Sequence, residues 1–143
     1  MAKENYKAAV YSVEIEIAKS LQVVFDQVID VSKWWPEDFE GQPLQLNHEF
    51  VFKSGDTHFS KNKVVEFEPP KKVVWFTTES IRKSDNYDWT GTKFIFELTS
   101  KGDNTLVKFT YNGVVLAHEY DRLIQICDIT IKEMLYNFLL TAK

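Results

Sequence analysis

The sequence predicts an α+β domain in which one curved antiparallel sheet of about six strands wraps around a long C-terminal helix, in the order β-α-α-β-β-β-β-β-α. Three observations carry that prediction. In residues 118–143, Tyr120, Ile124, Cys127, Ile131, Met134 and Phe138 recur at alternating spacings of four and three, one side of a helix with ~3.6 residues per turn. Leu123, Ile126, Leu135 and Leu139 widen this stripe, so it needs a broad partner surface. The preceding hundred or so residues alternate apolar and polar with the period of two that marks half-buried strands.

Taken in order, Tyr11, Val13, Ile15 and Ile17 alternate with Ser12, Glu14 and Glu16 as the first strand. Ser20 is placed to cap a helix from Leu21 that turns Leu21, Val24, Phe25, Val28 and Ile29 to one side. A second short helical turn stops before Pro36, because the residue ahead of a proline avoids the helical region. Leu44, Leu46, His48, Phe50 and Phe52 read as strand two, and Ser54-Gly55-Asp56 as its hairpin turn. Strand three runs from about Thr57 to Glu68, Pro69-Pro70 ends it, and strand four covers Val73 to Thr78. The polar stretch from Glu79 to Gly91 reads as a loop. A two-residue turn at Gly102-Asp103 pairs Phe96 with Phe109, which puts both apolar sets on one face. Asn112-Gly113 is expected to close the last strand.

The whole chain, residues 1–143, reads as a single domain, since about 150 residues can bury roughly 70% of their unfolded surface. A net charge of −4 gives no basic footprint for nucleic acid. The lone cysteine cannot form an internal disulfide, and no run approaches ~18 apolar residues. With no signal-type apolar run at the start, the expected location is cytoplasmic, with no integral membrane association.

Several runs resemble a known family. VVEFEPPKKVVW (64–75) resembles a strand, Pro-Pro turn and strand of the helix-grip superfamily, the START-like and birch-pollen-allergen-like domains also grouped as SRPBCC proteins. FELTSKGDNTLVKFTYNG (96–113) resembles that superfamily's penultimate hairpin, and VEIEIAKSLQVVFDQVID (13–30) its opening strand and helix. Within the superfamily the chain is most similar to the family named for the activator of the ninety-kilodalton heat-shock protein's ATPase, although HEYDRL (118–123) stands where many members have Gly-Trp. The resemblance implies a sheet gripping the long helix with a cavity between them. Members of the superfamily bind lipids, sterols or other apolar compounds, and some are cyclases or hydrolases. A chaperone partner is implied by the resemblance alone, because a fold does not settle a function.

Candidate chemistry is sparse. His48, His58 and Cys127 are ligand types, but the two histidines lie on opposite arms of one hairpin, roughly 15 Å apart at ~3.3 Å per residue, so no metal site is expected. Cys127 faces the core with no base supplied by any signature, and the chain has only 5 Gly and no phosphate-cradling loop. No catalytic residue and no cofactor is assigned. A two-residue turn at Ser54 to Asp56 would place His48, Lys61 and Lys63 on the face of Phe50 and Phe52, as polar anchors for the acidic end of a ligand. A three-residue turn, or a bulge near Asn62, would send both lysines to solvent instead.

The function expected is binding of a small, largely apolar molecule. Its cavity would be lined by Phe50, Phe94, Phe96, Phe109, Tyr111, Cys127, Ile131 and Met134, with small or adaptable residues on the adjoining helix. Trp34, Trp35, Phe39, Tyr87 and Trp89 would gate it. The competing readings are a protein-interaction or co-chaperone-like module, a cofactor-free cyclase or hydrolase, and rings that close the space completely.

Overall fold

The computed structural model describes residues 6–35, 38–54, 58–82, 90–116 and 120–142. Its elements are β1 (Tyr6–Ile17), α1 (Leu21–Ile29), a 3-10 turn (Val31–Lys33), β2 (Asp38–Glu40), β3 (Glu49–Ser54), β4 (His58–Glu68), β5 (Lys72–Arg82), β6 (Lys93–Lys101) and β7 (Asn104–Leu116). The C-terminal helix follows as one run of three segments: α2 (Tyr120–Asp128), a π segment (Ile129–Leu135) and α3 (Tyr136–Thr141). Among the described residues the strands form one antiparallel seven-stranded sheet of order β1-β7-β6-β5-β4-β3-β2.

Local chemistry accounts for most boundaries. The Ser20 side chain accepts a hydrogen bond from the Val23 N–H at 3.4 Å and opens α1, whose Val24, Phe25, Val28 and Ile29 are buried. Gly102 has φ 60, which suits the tight turn joining Lys101 to its partner Asn104, and Phe96 stands opposite Phe109 as the alternation requires.

Several boundaries differ from the sequence expectation. β1 starts earlier, at Tyr6, and β5 runs on to Arg82 into the polar stretch expected to be loop from Glu79, because Glu79 to Arg82 continue the pairing with β4. The second strand begins at Glu49 rather than near Leu44, because Asn47 turns the chain with φ 69 and leaves Leu44 and Leu46 exposed. Between the 3-10 turn and β3 lies an unexpected short strand, β2, which pairs Phe39 with Phe52. The last strand does not stop at Asn112-Gly113 but continues to Leu116, pairing with the start of β1. Gly113 belongs inside that strand, since a Cβ there would lie 2.3 Å from Thr92 Cγ2.

The C-terminal helix returns antiparallel to β7. It leaves the sheet after Leu116, beside Tyr6, and ends where the Ala142 carbonyl accepts a 2.6 Å hydrogen bond from Lys19 Nζ, just past β1. α2 lies against β1 and β7, and α3 against β1 and α1.

The buried stripe on this helix is Leu123, Cys127, Ile131, Leu135 and Leu139, a spacing of four throughout. In a regular α-helix each step of four overshoots a full turn by about 40°, so four steps would carry Leu139 about 160° away from Leu123. The π segment removes that drift by taking an extra residue into a turn, seen where the Tyr136 N–H bonds the Ile131 carbonyl five residues back. Beyond Ile131 the stripe is therefore displaced by one residue from the purely α-helical expectation. Leu135 replaces Met134 and Leu139 replaces Phe138, and both displaced side chains are only half-buried, as is Ile124.

Two expected outcomes follow for stability. Ile131→Ala should lower unfolding free energy by about 2–5 kcal/mol in denaturant titrations, as for a well-packed core site. Deleting the exposed Ile129 removes the extra residue of the π turn and no core side chain, so a regular α-helical turn should keep Leu135 and Leu139 on the sheet side and the variant should lose less stability than Ile131→Ala. A deletion variant destabilised as much as Ile131→Ala would show that the π turn is not what absorbs the extra residue.

Candidate functional site

The side chains on the concave face of the sheet fall into cross-strand rows. Val13, Phe109, Phe96 and Val73 stand in one row, and Tyr11, Tyr111, Phe94, Trp75 and Val64 in the next. These rows are rich in rings in mutual contact. Trp75 lies 4.9 Å from Phe96 and 5.2 Å from Phe50, Phe96 5.1 Å from Phe109, and Phe94 5.4 Å from Tyr111, centroid to centroid.

One row further along, the chemistry changes. Asn62 and Thr77 face each other beside Phe50, and beyond them Ser60 and Ser80 stand beside Phe52. All four polar residues are buried. A register shift at Lys61/Asn62 brings Glu79 opposite Lys61 and Thr77 opposite Asn62, which leaves Thr78 as the extra residue on β5. This bulge is what allows both Thr77 and Ser80 to point inward. Thr77 Oγ1 donates to Asn62 Oδ1 at 2.8 Å, while Asn62 Nδ2 reaches Ser60 O and Oγ only at 3.4 Å. The Trp75 Nε1 and Ser80 Oγ atoms are buried with no hydrogen-bond partner. Thr92, bound through its carbonyl to the Thr77 N–H, packs on Gly113 and lies beside the Tyr111 phenol. The result is a buried, uncharged polar recess in the concave face, at one end of the aromatic cluster.

The rings of Trp35 and Phe39 cover this recess. Trp34 is fixed in the core by its Nε1 donating to the Val28 carbonyl at 3.0 Å. Trp35 is half-buried and touches both Phe52 on β3 (5.2 Å) and Phe94 on β6 (5.9 Å), so its ring crosses over the strands that carry Asn62 and Thr77. Phe39 closes the side against Phe50 and Phe52. Of the residues expected to gate a cavity, Trp34 is a core anchor, Trp35 and Phe39 are covering rings, and Tyr87 and Trp89 lie outside the described residues.

The expected lining residues come together in large part. Phe50, Phe94, Phe96, Phe109, Tyr111, Cys127 and Ile131 belong to one buried cluster, whereas Met134 is rotated away by the π turn. The expected polar anchors do not join them. Ser54 pairs with His58, which leaves three residues in the hairpin connection instead of two. Lys61 and Lys63 therefore stand opposite Val51 and Glu49 on the outer face, and Lys61 Nζ lies 3.6 Å from Glu49 Oε2. His48 is exposed ahead of β3. Sequence reasoning missed Ser60, Asn62, Thr77 and Ser80. The available signal was parity, since sending Lys61 and Lys63 outward brings Ser60, Asn62 and Val64 inward.

Among the described residues no group of three or more His, Cys, Asp or Glu is placed to hold a metal. Burial pushes the Cys127 thiol up to about 12 and raises the Tyr111 phenol as well. Both groups therefore stay protonated at neutral pH, the wrong state for a nucleophile. At about pH 8.5, where an ordinary cysteine is near half thiolate, iodoacetamide should alkylate native Cys127 at least ~100-fold more slowly than the denatured chain. Equal rates would mean an accessible, ionised sulfur.

No family model matches the sequence, and no curated protein sequence matches it either. Solved structures do match its fold. The Aha1 dimer from Colwellia psychrerythraea aligns at a TM-score of 0.74 and 21% identity, over 94% of this chain and 98% of that one. An uncharacterised protein from Rhizobium leguminosarum aligns at 0.78 and 14% identity, over 96% and 98%. The Mll3558 protein from Rhizobium loti aligns at 0.77 and 15%, over 95% and 99%. At these identities the likeness is one of architecture, and it agrees with the wrapped helix, the curved sheet and the strand order described above. The chain has a helix-grip fold, the architecture it shares with the Aha1 structure.

Proposed function

We propose that this protein binds a small, largely apolar molecule between the C-terminal helix and the concave face of its sheet. The observation that carries this reading is the buried uncharged polar recess beside the aromatic rows, which would line the ligand's chamber. A core built only for stability gains nothing from burying Asn62, Thr77, Ser60 and Ser80 together with a partnerless indole N–H, since unpaired buried polar groups cost free energy. A pocket for an amphipathic small molecule needs this combination: apolar walls and a few convergent polar groups. The π segment adds support, because such turns occur often at functional sites and this one lies on the helix facing the chamber.

A protein-interaction reading is favoured by a separate observation, the likeness to a structure described as a dimer together with exposed Leu44, Leu46 and Val10. No helix of the described residues is long and apolar enough to cross a membrane. A chaperone partner belongs to this second reading, and so does self-association.

Titration with Nile red, a neutral apolar fluorophore, separates the two. Saturable binding at one site, accompanied by quenching of tryptophan fluorescence, is the expected result. Cys127→Trp should weaken it at least ~10-fold with the far-ultraviolet spectrum unchanged, since the larger ring takes the space of the ligand. An absence of saturable binding, with Cys127→Trp unfolding the protein, would mean that the rings already fill the chamber, and the ligand reading would fail.

A further inference from the structure

Among the described residues, every buried polar side chain is uncharged: Ser60, Asn62, Thr77, Ser80, Thr92, Thr105 and Thr130. Thr105 is accounted for at the other end of the core, where its hydroxyl donates to the Lys19 carbonyl at 2.9 Å. In the recess the balance is uneven. Asn62 Oδ1 is already taken by Thr77 Oγ1 at 2.8 Å, whereas the Asn62 amide N–H groups have only 3.4 Å contacts. The Trp75 indole N–H can only donate, and it has no partner although the residue is 1% exposed. The Ser80 hydroxyl can donate too, and its oxygen is likewise without a partner. The unused capacity is therefore mostly donor capacity.

We propose that this recess takes a neutral hydrogen-bond acceptor, the carbonyl, ether or hydroxyl oxygen of an otherwise apolar ligand, held by Trp75 Nε1 and Asn62 Nδ2. The proposal rests on the concave face being a ligand site, and it names the class of ligand. Acidic ligands such as fatty acids are disfavoured by the same geometry. Among the described residues a carboxylate in the recess would be a buried ion without a counter-charge, because Lys61 and Lys63 stand on the opposite face of the sheet. A bare hydrocarbon fits the aromatic rows but leaves the indole N–H as it was. A ketone, ester or alcohol satisfies the donors at no charge penalty.

Three probes of one skeleton test this: acetylnaphthalene, ethylnaphthalene and naphthoate, titrated at neutral pH against uniformly 15N-labelled protein. The Trp75 indole resonance is identified by its loss in Trp75→Phe. The expected result is that acetylnaphthalene binds ~10-fold more tightly than ethylnaphthalene, the worth of one buried hydrogen bond, and that naphthoate binds most weakly. Only the acetyl compound should move the Trp75 indole N–H downfield. In the paired variant Asn62→Leu with Thr77→Val, the acetyl compound should lose its advantage while ethylnaphthalene binding is retained. If that variant does not fold, the indole shift in the unaltered protein still decides the matter. Equal binding of the acetyl and ethyl compounds, tightest binding of naphthoate, or an unmoved indole signal would overturn the neutral-acceptor assignment while leaving a ligand site in place. Binding of none of the three would remove both.

Discussion

The packing of one helix against one sheet depends on keeping five apolar side chains in line. Leu123, Cys127, Ile131, Leu135 and Leu139 are spaced by four, which an α-helix of 3.6 residues per turn cannot hold on one face for long. The π turn at Ile129–Leu135 resolves the mismatch by lengthening a turn in the middle of the helix. It also decides which small residues face the chamber. Cys127, Thr130 and Ile131 are buried on the sheet side while the flexible Met134 turns aside, so the helix presents modest bulk opposite the aromatic rows.

The second constraint lies in β4 and β5. Parity on a strand is absolute, because side chains alternate and a one-residue slip exchanges the faces. The three-residue connection between Ser54 and His58 sends Ser60, Asn62 and Val64 inward and Lys61 and Lys63 outward. Two register shifts, at Lys61/Asn62 and Val64/Glu66, then bend the paired strands and keep Trp75, Thr77 and Ser80 on the concave side. The same irregularities that curl the sheet around the helix also assemble the polar recess. Curvature and site chemistry here have a common cause.

The proposed site, among the described residues, presents neutral groups. Its ionisable members, Cys127 and Tyr111, are kept protonated by burial, and its remaining polar groups are neutral amides, hydroxyls and an indole. General acid–base work needs a group whose proton moves near the working pH, and the recess contains none among the described residues. The fold shared with the Aha1 structure does not bear on this, since unrelated functions occupy the same architecture. What bears on it is this chain's own pattern of uncharged polar residues set among rings.

By itself the sequence determined the fold class, the α1 cap at Ser20, the Phe96–Phe109 pairing and the burial of Cys127 and Ile131. Each of these follows from short-range periodicity or turn chemistry that a few neighbouring residues express. Only the tertiary structure decided the facing of Lys61 and Lys63, the place of Leu135 over Met134, the strand at Asp38–Glu40 and the recess around Asn62. These depend on insertions of a single residue: one more in a hairpin connection, one more in a helical turn, one more on a bulged strand. Such insertions leave almost no mark on composition or periodicity, yet each reverses or rotates every side chain beyond it. Their choice is made by the packing energy of the whole concave face, where Phe50, Trp75 and the long helix must fit together at once.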